Sequence, residues 1–115
     1  METSAIKEAV EMRRAHLNLI KYALNKGCSI TVDYGAYDDE DACTKSKDYK
    51  EIKEHAEACD ESYLHIYDAE GKKKGWAWVI FGNEDNELVS DYSYNPFMED
   101  WWQQFDKMYE ETGAW

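Results

Sequence analysis

Residues 63–81, YLHIYDAEGKKKGWAWVIF, decide how this chain folds. Tyr63 to Tyr67 is a short aromatic and aliphatic run, Asp68-Ala69-Glu70-Gly71 has turn chemistry, and Gly75 to Phe81 is a second apolar run, so the segment reads as a β-hairpin. Alternate residues of a strand point to opposite faces. The second run is apolar on both: Trp76, Trp78 and Ile80 point one way, Ala77, Val79 and Phe81 the other. A strand buried on one side only would carry a polar face, so this one belongs inside a sheet. Helices are expected over one sheet face. Tyr63, His65 and Tyr67 share the other with some of the tryptophans, and that face is expected to be partly open.

After the hairpin, residues 82–86 (Gly-Asn-Glu-Asp-Asn) read as a loop and Glu87 to Tyr92 as a third strand, completing a meander. Asn95-Pro96 supplies an N-cap followed by proline at the first helical position, and Glu99 and Asp100 suit the positive end of the helix dipole. Phe97, Trp101, Phe105, Met108 and Tyr109 then form an apolar stripe ending before Gly113.

Before the hairpin, Thr3 or Ser4 caps a predicted helix whose apolar positions are Ile6, Val10, Leu17, Ile20 and Leu24, and Gly27 stands where helices end. Ser29 to Tyr34 alternates with β-branched residues as a first strand. Residues 35–45 have no period and carry the run Asp38-Asp39-Glu40-Asp41, as a loop would. Ser46 then caps a second helix reaching about Cys59, with Tyr49, Ile52, Ala56 and Cys59 on one side. The expected fold is α+β in the order α-β-α-β-β-β-α. Three helices pack on an antiparallel sheet of about four strands, the meander plus one. At 115 residues, without repeat or linker, residues 1–115 form one domain.

Twenty-five Asp and Glu against thirteen Lys and Arg give a formal charge of −12. Such a chain repels phosphates and anionic lipids and meets cationic partners quickly, so direct nucleic-acid or membrane binding is not expected. No run of about eighteen apolar residues and no signal-peptide core occurs, and the three cysteines form no disulfide framework; the expected setting is the cytoplasm. With 15% aromatic residues the chain has the apolar mass to fold.

Chemistry-bearing motifs are sparse. His55 and Cys59 stand four apart on a helix, as two zinc ligands would, but no paired C-x-x-C spacing accompanies them. Asp38 to Asp41 lacks the alternate ligands, glycine and closing glutamate of a calcium loop. No metal, cofactor or catalytic residue is therefore assigned. Five tryptophans and nine tyrosines exceed what so small a core hides. Exposed Tyr and Trp beside carboxylates are the groups that grip a partner rich in Arg and Lys. The candidate partner-binding residues are Asp38, Asp39, Glu40, Asp41, Glu84, Asp85 and Glu87, with Tyr37 and Tyr94 as aromatic anchors.

The segment GKKKGWAWVIFGNEDNELVSDYSYNPFMEDWW, residues 71–102, resembles the C-terminal half of small, acidic, uncharacterised accessory proteins of tailed bacteriophages. In these a glycine-tryptophan strand, a G-N turn, an acid-rich D-Y strand and an N-x-F-M helix start recur; the likeness covers about residues 60 to 105. The resemblance implies a phage or prophage origin and action in the cytoplasm of a bacterial host, as an inhibitor of host defence or nucleic-acid machinery, some such proteins mimicking DNA with carboxylates. It transfers no site residue. The expected partner is the basic face of a bacterial nuclease, restriction or CRISPR component, or transcription factor. Two alternatives stand beside it: an immunity protein or antitoxin for a basic toxin, and a small enzyme or ligand-binding domain using an aromatic pocket lined by Trp76, Trp78, Tyr63 and His65.

Overall fold

In the computed structural model, residues 14–34, 43–58, 61–80 and 89–112 are described. The elements are α1 (Ala15–Asn25), β1 (Ser29–Asp33), β2 (Cys43–Ser46), α2 (Tyr49–Ala56), β3 (Glu61–Tyr67), β4 (Lys73–Ile80), β5 (Val89–Tyr92) and α3 (Pro96–Thr112). The order is α-β-β-α-β-β-β-α, an α+β fold around one antiparallel five-stranded sheet, β2-β1-β3-β4-β5.

The hairpin forms as its sequence requires. Asp68 Oδ1 accepts from the N–H of Glu70 and Lys72, and Gly71 takes the positive φ of 82° that a side chain disfavours. Strand β4 lies between β3 and β5, the interior position its two apolar faces predict, and β3 is the central strand. Register sorts the side chains. Ile30 opposes Ile66, Val32 opposes Leu64, and Leu64 opposes Ala77, all fully buried on one face. Thr31 opposes His65, Asp33 opposes Tyr63, and Tyr63 opposes Trp78 on the other.

All three helices cover the first face. Leu17, Leu19, Ile20 and Ala23 of α1, Ile52 and Ala56 of α2, and Met98, Trp101 and Phe105 of α3 are buried there. Helix α1 ends in a Schellman motif: Cys28 N–H donates to Ala23 and Gly27 N–H to Leu24, with Gly27 at φ 80°. Asn95 caps α3 as predicted, its Oδ1 accepting from Met98 N–H while its amide donates to the Lys74 carbonyl. A Cβ on Gly75 would stand 2.7 Å from Met98 Cγ, so the bare backbone of β4 is what lets the start of α3 approach.

Two expectations are corrected. Residues 43–46 are not loop but the edge strand β2, and α2 is capped by Asp48 rather than Ser46. The Asp48 carboxylate accepts from the N–H of Lys50 and Glu51, while Ser46 Oγ accepts from Asp48 N–H one step outside the helix. The carboxylate wins because it sits where two of the helix's orphan donors point. Strand β2 carries a bulge beside β1, with Lys45 at φ 45° and its N–H donating to Thr31 Oγ1. The N-terminal part of the first predicted helix, residues 3–13, and Phe81, Glu87, Leu88 and Cys59 lie outside the described residues.

Candidate functional site

Among the described residues, no helix or strand packs on the second sheet face. It carries a row of rings. Tyr63 stacks on Trp78 with centroids 6.1 Å apart and planes 6° from parallel, and on its other side faces His65 at 6.4 Å. Their strands place these side chains opposite or two residues apart, the spacing at which cross-strand aromatic pairs meet. All are half-buried, and the indole N–H of Trp78 is buried with no acceptor among the described residues.

His65 is held at both nitrogens. Lys73 Nζ lies 2.9 Å from Nδ1, and Nε2 contacts the Asp33 carboxylate. An ammonium can only donate, so Nδ1 accepts and the ring proton sits on Nε2, facing Asp33. The result is a carboxylate, an imidazole and an ammonium in one line across β1, β3 and β4. Its two ends differ in sign.

That difference extends along the whole strand axis. At one end of the sheet stand Asp33, Glu61 and the ends of β4 and β5, since Asp33 opposes Tyr63, Glu61 opposes Ile80 and Val79 opposes Val89. Burial and then the charges of Glu61 and Asp33 push the Tyr63 phenol above its ordinary value. At the other end gather Lys26, Lys45, Lys47, Lys72, Lys73 and Lys74, six of the chain's thirteen Lys and Arg, together with Asp48, Asp68 and Glu70, around the start of β1, the end of β2 and the turn into β4. Lys45 lies over the Tyr67 ring at 5.1 Å. Asp68, inside this lysine group, is held below the usual carboxylate range by the Lys72 and Glu70 N–H groups and by Lys74. Burial pushes the nearby Cys28 thiol up.

The second aromatic group lies under the helices. Trp101 and Phe105 are fully buried; Tyr92 and Trp102 pack beside them, and Trp101 Nε1 donates to Asn18 on α1. Here Tyr22 donates to Asp100, which lowers the pKa of that carboxylate, while burial and then the same hydrogen bond raise that of the Tyr22 phenol. Buried His16 meets Glu57 at 2.8 Å, a contact that draws the Glu57 carboxyl down.

Of the residues singled out in the sequence, Tyr37, Asp38, Asp39, Glu40, Asp41, Glu84, Asp85 and Glu87 lie outside the described residues. The residues flanking them are informative: Tyr34 and Cys43, and Ile80 and Val89, stand at the same end of the sheet, the end of Asp33 and Glu61. Tyr94 is 86% exposed and stacks on Tyr92, but it stands at the opposite end, next to Asn95, whose amide reaches the Lys74 carbonyl. Tyr94 and the acidic flanks therefore do not share one end. Sequence reasoning missed that Glu61 and Asp33 stand together at the sheet end opposite Lys45 and Lys73, for which strand register was the missing signal.

Trp76, Trp78, Tyr63 and His65, named for the aromatic-pocket alternative, do not line the cleft that the structure shows. This 260 Å³ cleft lies between α1 and α3, lined by Asn18, Lys21, Tyr22, Asn25, Gln104 and Met108. Among the described residues no three His, Cys, Asp or Glu side chains converge to hold a metal ion, and no helix is long and apolar enough to cross a membrane. Comparison with protein-family models, curated proteins and solved structures finds no match to this chain.

Proposed function

We propose that this chain is a non-enzymatic acidic binding protein that occupies the basic surface of a bacterial protein, of the phage-encoded inhibitor type, its target a nuclease, a restriction or CRISPR component, or a transcription factor. One observation carries the reading: charge is sorted along the strands. Six lysines sit at one end, and Asp33, Glu61 and the residues flanking the acidic segments 35–42 and 81–88 stand at the other. Arg14 and Lys53 act on the Glu57 carboxyl in the helix layer. A one-signed end concentrates the field that a basic groove recognises, whereas evenly interspersed charge would cancel within about 8 Å at physiological ionic strength.

The test replaces Asp38, Asp39, Glu40 and Asp41 by Asn and Gln and compares capture from bacterial lysate with that by the parent chain. Loss of a captured basic protein, together with steep weakening of parental binding as salt rises, is the expected result. Equal capture by both forms, or affinity flat with salt, removes the reading.

A further inference from the structure

The sheet face that no described helix or strand covers presents Tyr63, Trp76 and Trp78 at its centre, acids at one end and lysines at the other. Tyr and Trp are the side chains enriched where proteins meet. The signs at its two ends say what fits. A uniformly basic partner would match Asp33 and Glu61 and be repelled by Lys45 and Lys73. A uniformly anionic partner would fail at the other end. A surface with the same rings and the same two ends in reverse order satisfies both, and this chain carries such a surface itself.

We propose that two copies of this chain pack face to face through this sheet face. Two sheets stack about 10 Å apart with their strands nearly aligned. A two-fold axis in the contact plane can run along the strands or across them. Along the strands it would set Glu61 against Glu61 and Lys73 against Lys73, which like-charge repulsion disfavours. Across the strands it inverts one copy end for end. Glu61 of β3 then faces the lysine end of β3 and β4 in its mate, near Lys73, and Asp33 of β1 faces the end bearing Lys45, while β3 and β4 lay their rings over the same strands of the second copy. The chemistry selects the second axis. Both edge strands leave this face as the better contact: β2 is four residues long and bulged at Lys45, and β5 is four residues long with a register shift beside β4, so neither offers a regular edge for strand addition. The proposal stands apart from the inhibitor reading, because it concerns a different surface and needs no second protein.

The test is a charge exchange read by analytical ultracentrifugation. One variant, Lys45→Glu with Lys73→Glu, makes both ends acidic; a second, Glu61→Lys with Asp91→Lys, reverses the acidic end through half-buried Glu61 and through exposed Asp91, which opposes Trp78 from β5, both outside the His65 line. The parent chain is expected to sediment at twice its 13.5 kDa mass in the micromolar range and to dissociate as salt rises. Each variant alone is expected to associate at least about tenfold more weakly, since its like-charged ends now meet. An equimolar mixture is expected to recover the dimer, which also shows that both variants are folded. A parent chain that is monomeric throughout overturns the proposal; so do variants that dimerise as well as the parent, or a mixture that stays monomeric.

Discussion

The molecule holds two groups of aromatic rings built from the same residue types, and they are used differently. Under the helices, Trp101 meets Tyr92 edge-on at 5.7 Å and lies beside Phe105 at 6.0 Å, its indole N–H is given to Asn18, and none of its surface reaches solvent. On the far side of the same sheet, Trp78 lies flat on Tyr63 and its indole N–H has no acceptor among the described residues. Ring stacking is common to both. What separates them is the third dimension: one group is closed from above by α1 and α3, and no described helix covers the other. Satisfying the polar atom of a ring goes with closure in the first group, whereas in the second no described residue accepts from the indole.

The comparison breaks most sharply at Trp101. Trp101→Ala removes a fully buried ring and strands the Asn18 acceptor, and it is expected to cost about 3–5 kcal/mol in chemical denaturation. The same truncation at half-buried Trp76 is expected to cost about a third of that or less at dilute protein. Equal losses would mean that the open face is core in all but name.

A smaller effect probes how tightly the closed face is sealed. In Gly75→Ala the new methyl would stand 2.7 Å from Met98 Cγ and 2.8 Å from its Sδ, so Met98 must move, at an expected cost of about 1–3 kcal/mol. Met98→Ala in the same chain is expected to cost less than it does alone, a coupling measurable by a double-mutant cycle. Strict additivity would show that the two side chains do not meet.

Acid titration gives a weaker signal from the helix layer. Because His16 holds the Glu57 carboxyl below its ordinary value in the folded chain, the unfolded chain binds that proton more readily. The stabilisation is then complete above the ordinary glutamate value and is lost as pH falls through and below it. Urea midpoints of Glu57→Gln are expected to lose this part of the acid slope, whereas parallel profiles would dismiss the pair. The smallest effect is on the second face: Trp78→Phe keeps a ring over Tyr63 and removes a donor that has no acceptor among the described residues, so stability is expected to change by less than about 1 kcal/mol or to rise.

Most of the fold can be read in the sequence, because β1, β3, β4 and α3 are long apolar runs with clean periods and legible ends: Asn95-Pro96, Gly27, and Asp68 to Gly71. Strand β2 cannot. Cys-Thr-Lys-Ser has no alternation, and it is a strand only because β1 offers an unpaired edge and Thr31 an acceptor for Lys45 N–H, facts that exist after β1 has been placed. The cap of α2 was ambiguous between Ser46 and Asp48 for a similar reason, since both residue types cap and their choice depends on where the helix axis starts. The carboxylates at the sheet end escaped notice for want of register. Glu61 and Asp33 are 28 positions apart in the chain and become neighbours of Tyr63 only through pairing across β1 and β3.

The lysine turns at one extremity and the carboxylates at the other also give the molecule a direction in space. A body with unevenly placed charge experiences torque in another body's field before contact, so an approaching cation would find the chain already rotating its acidic end forward. Each encounter would then begin partly aligned, with fewer unproductive collisions than net charge alone would give.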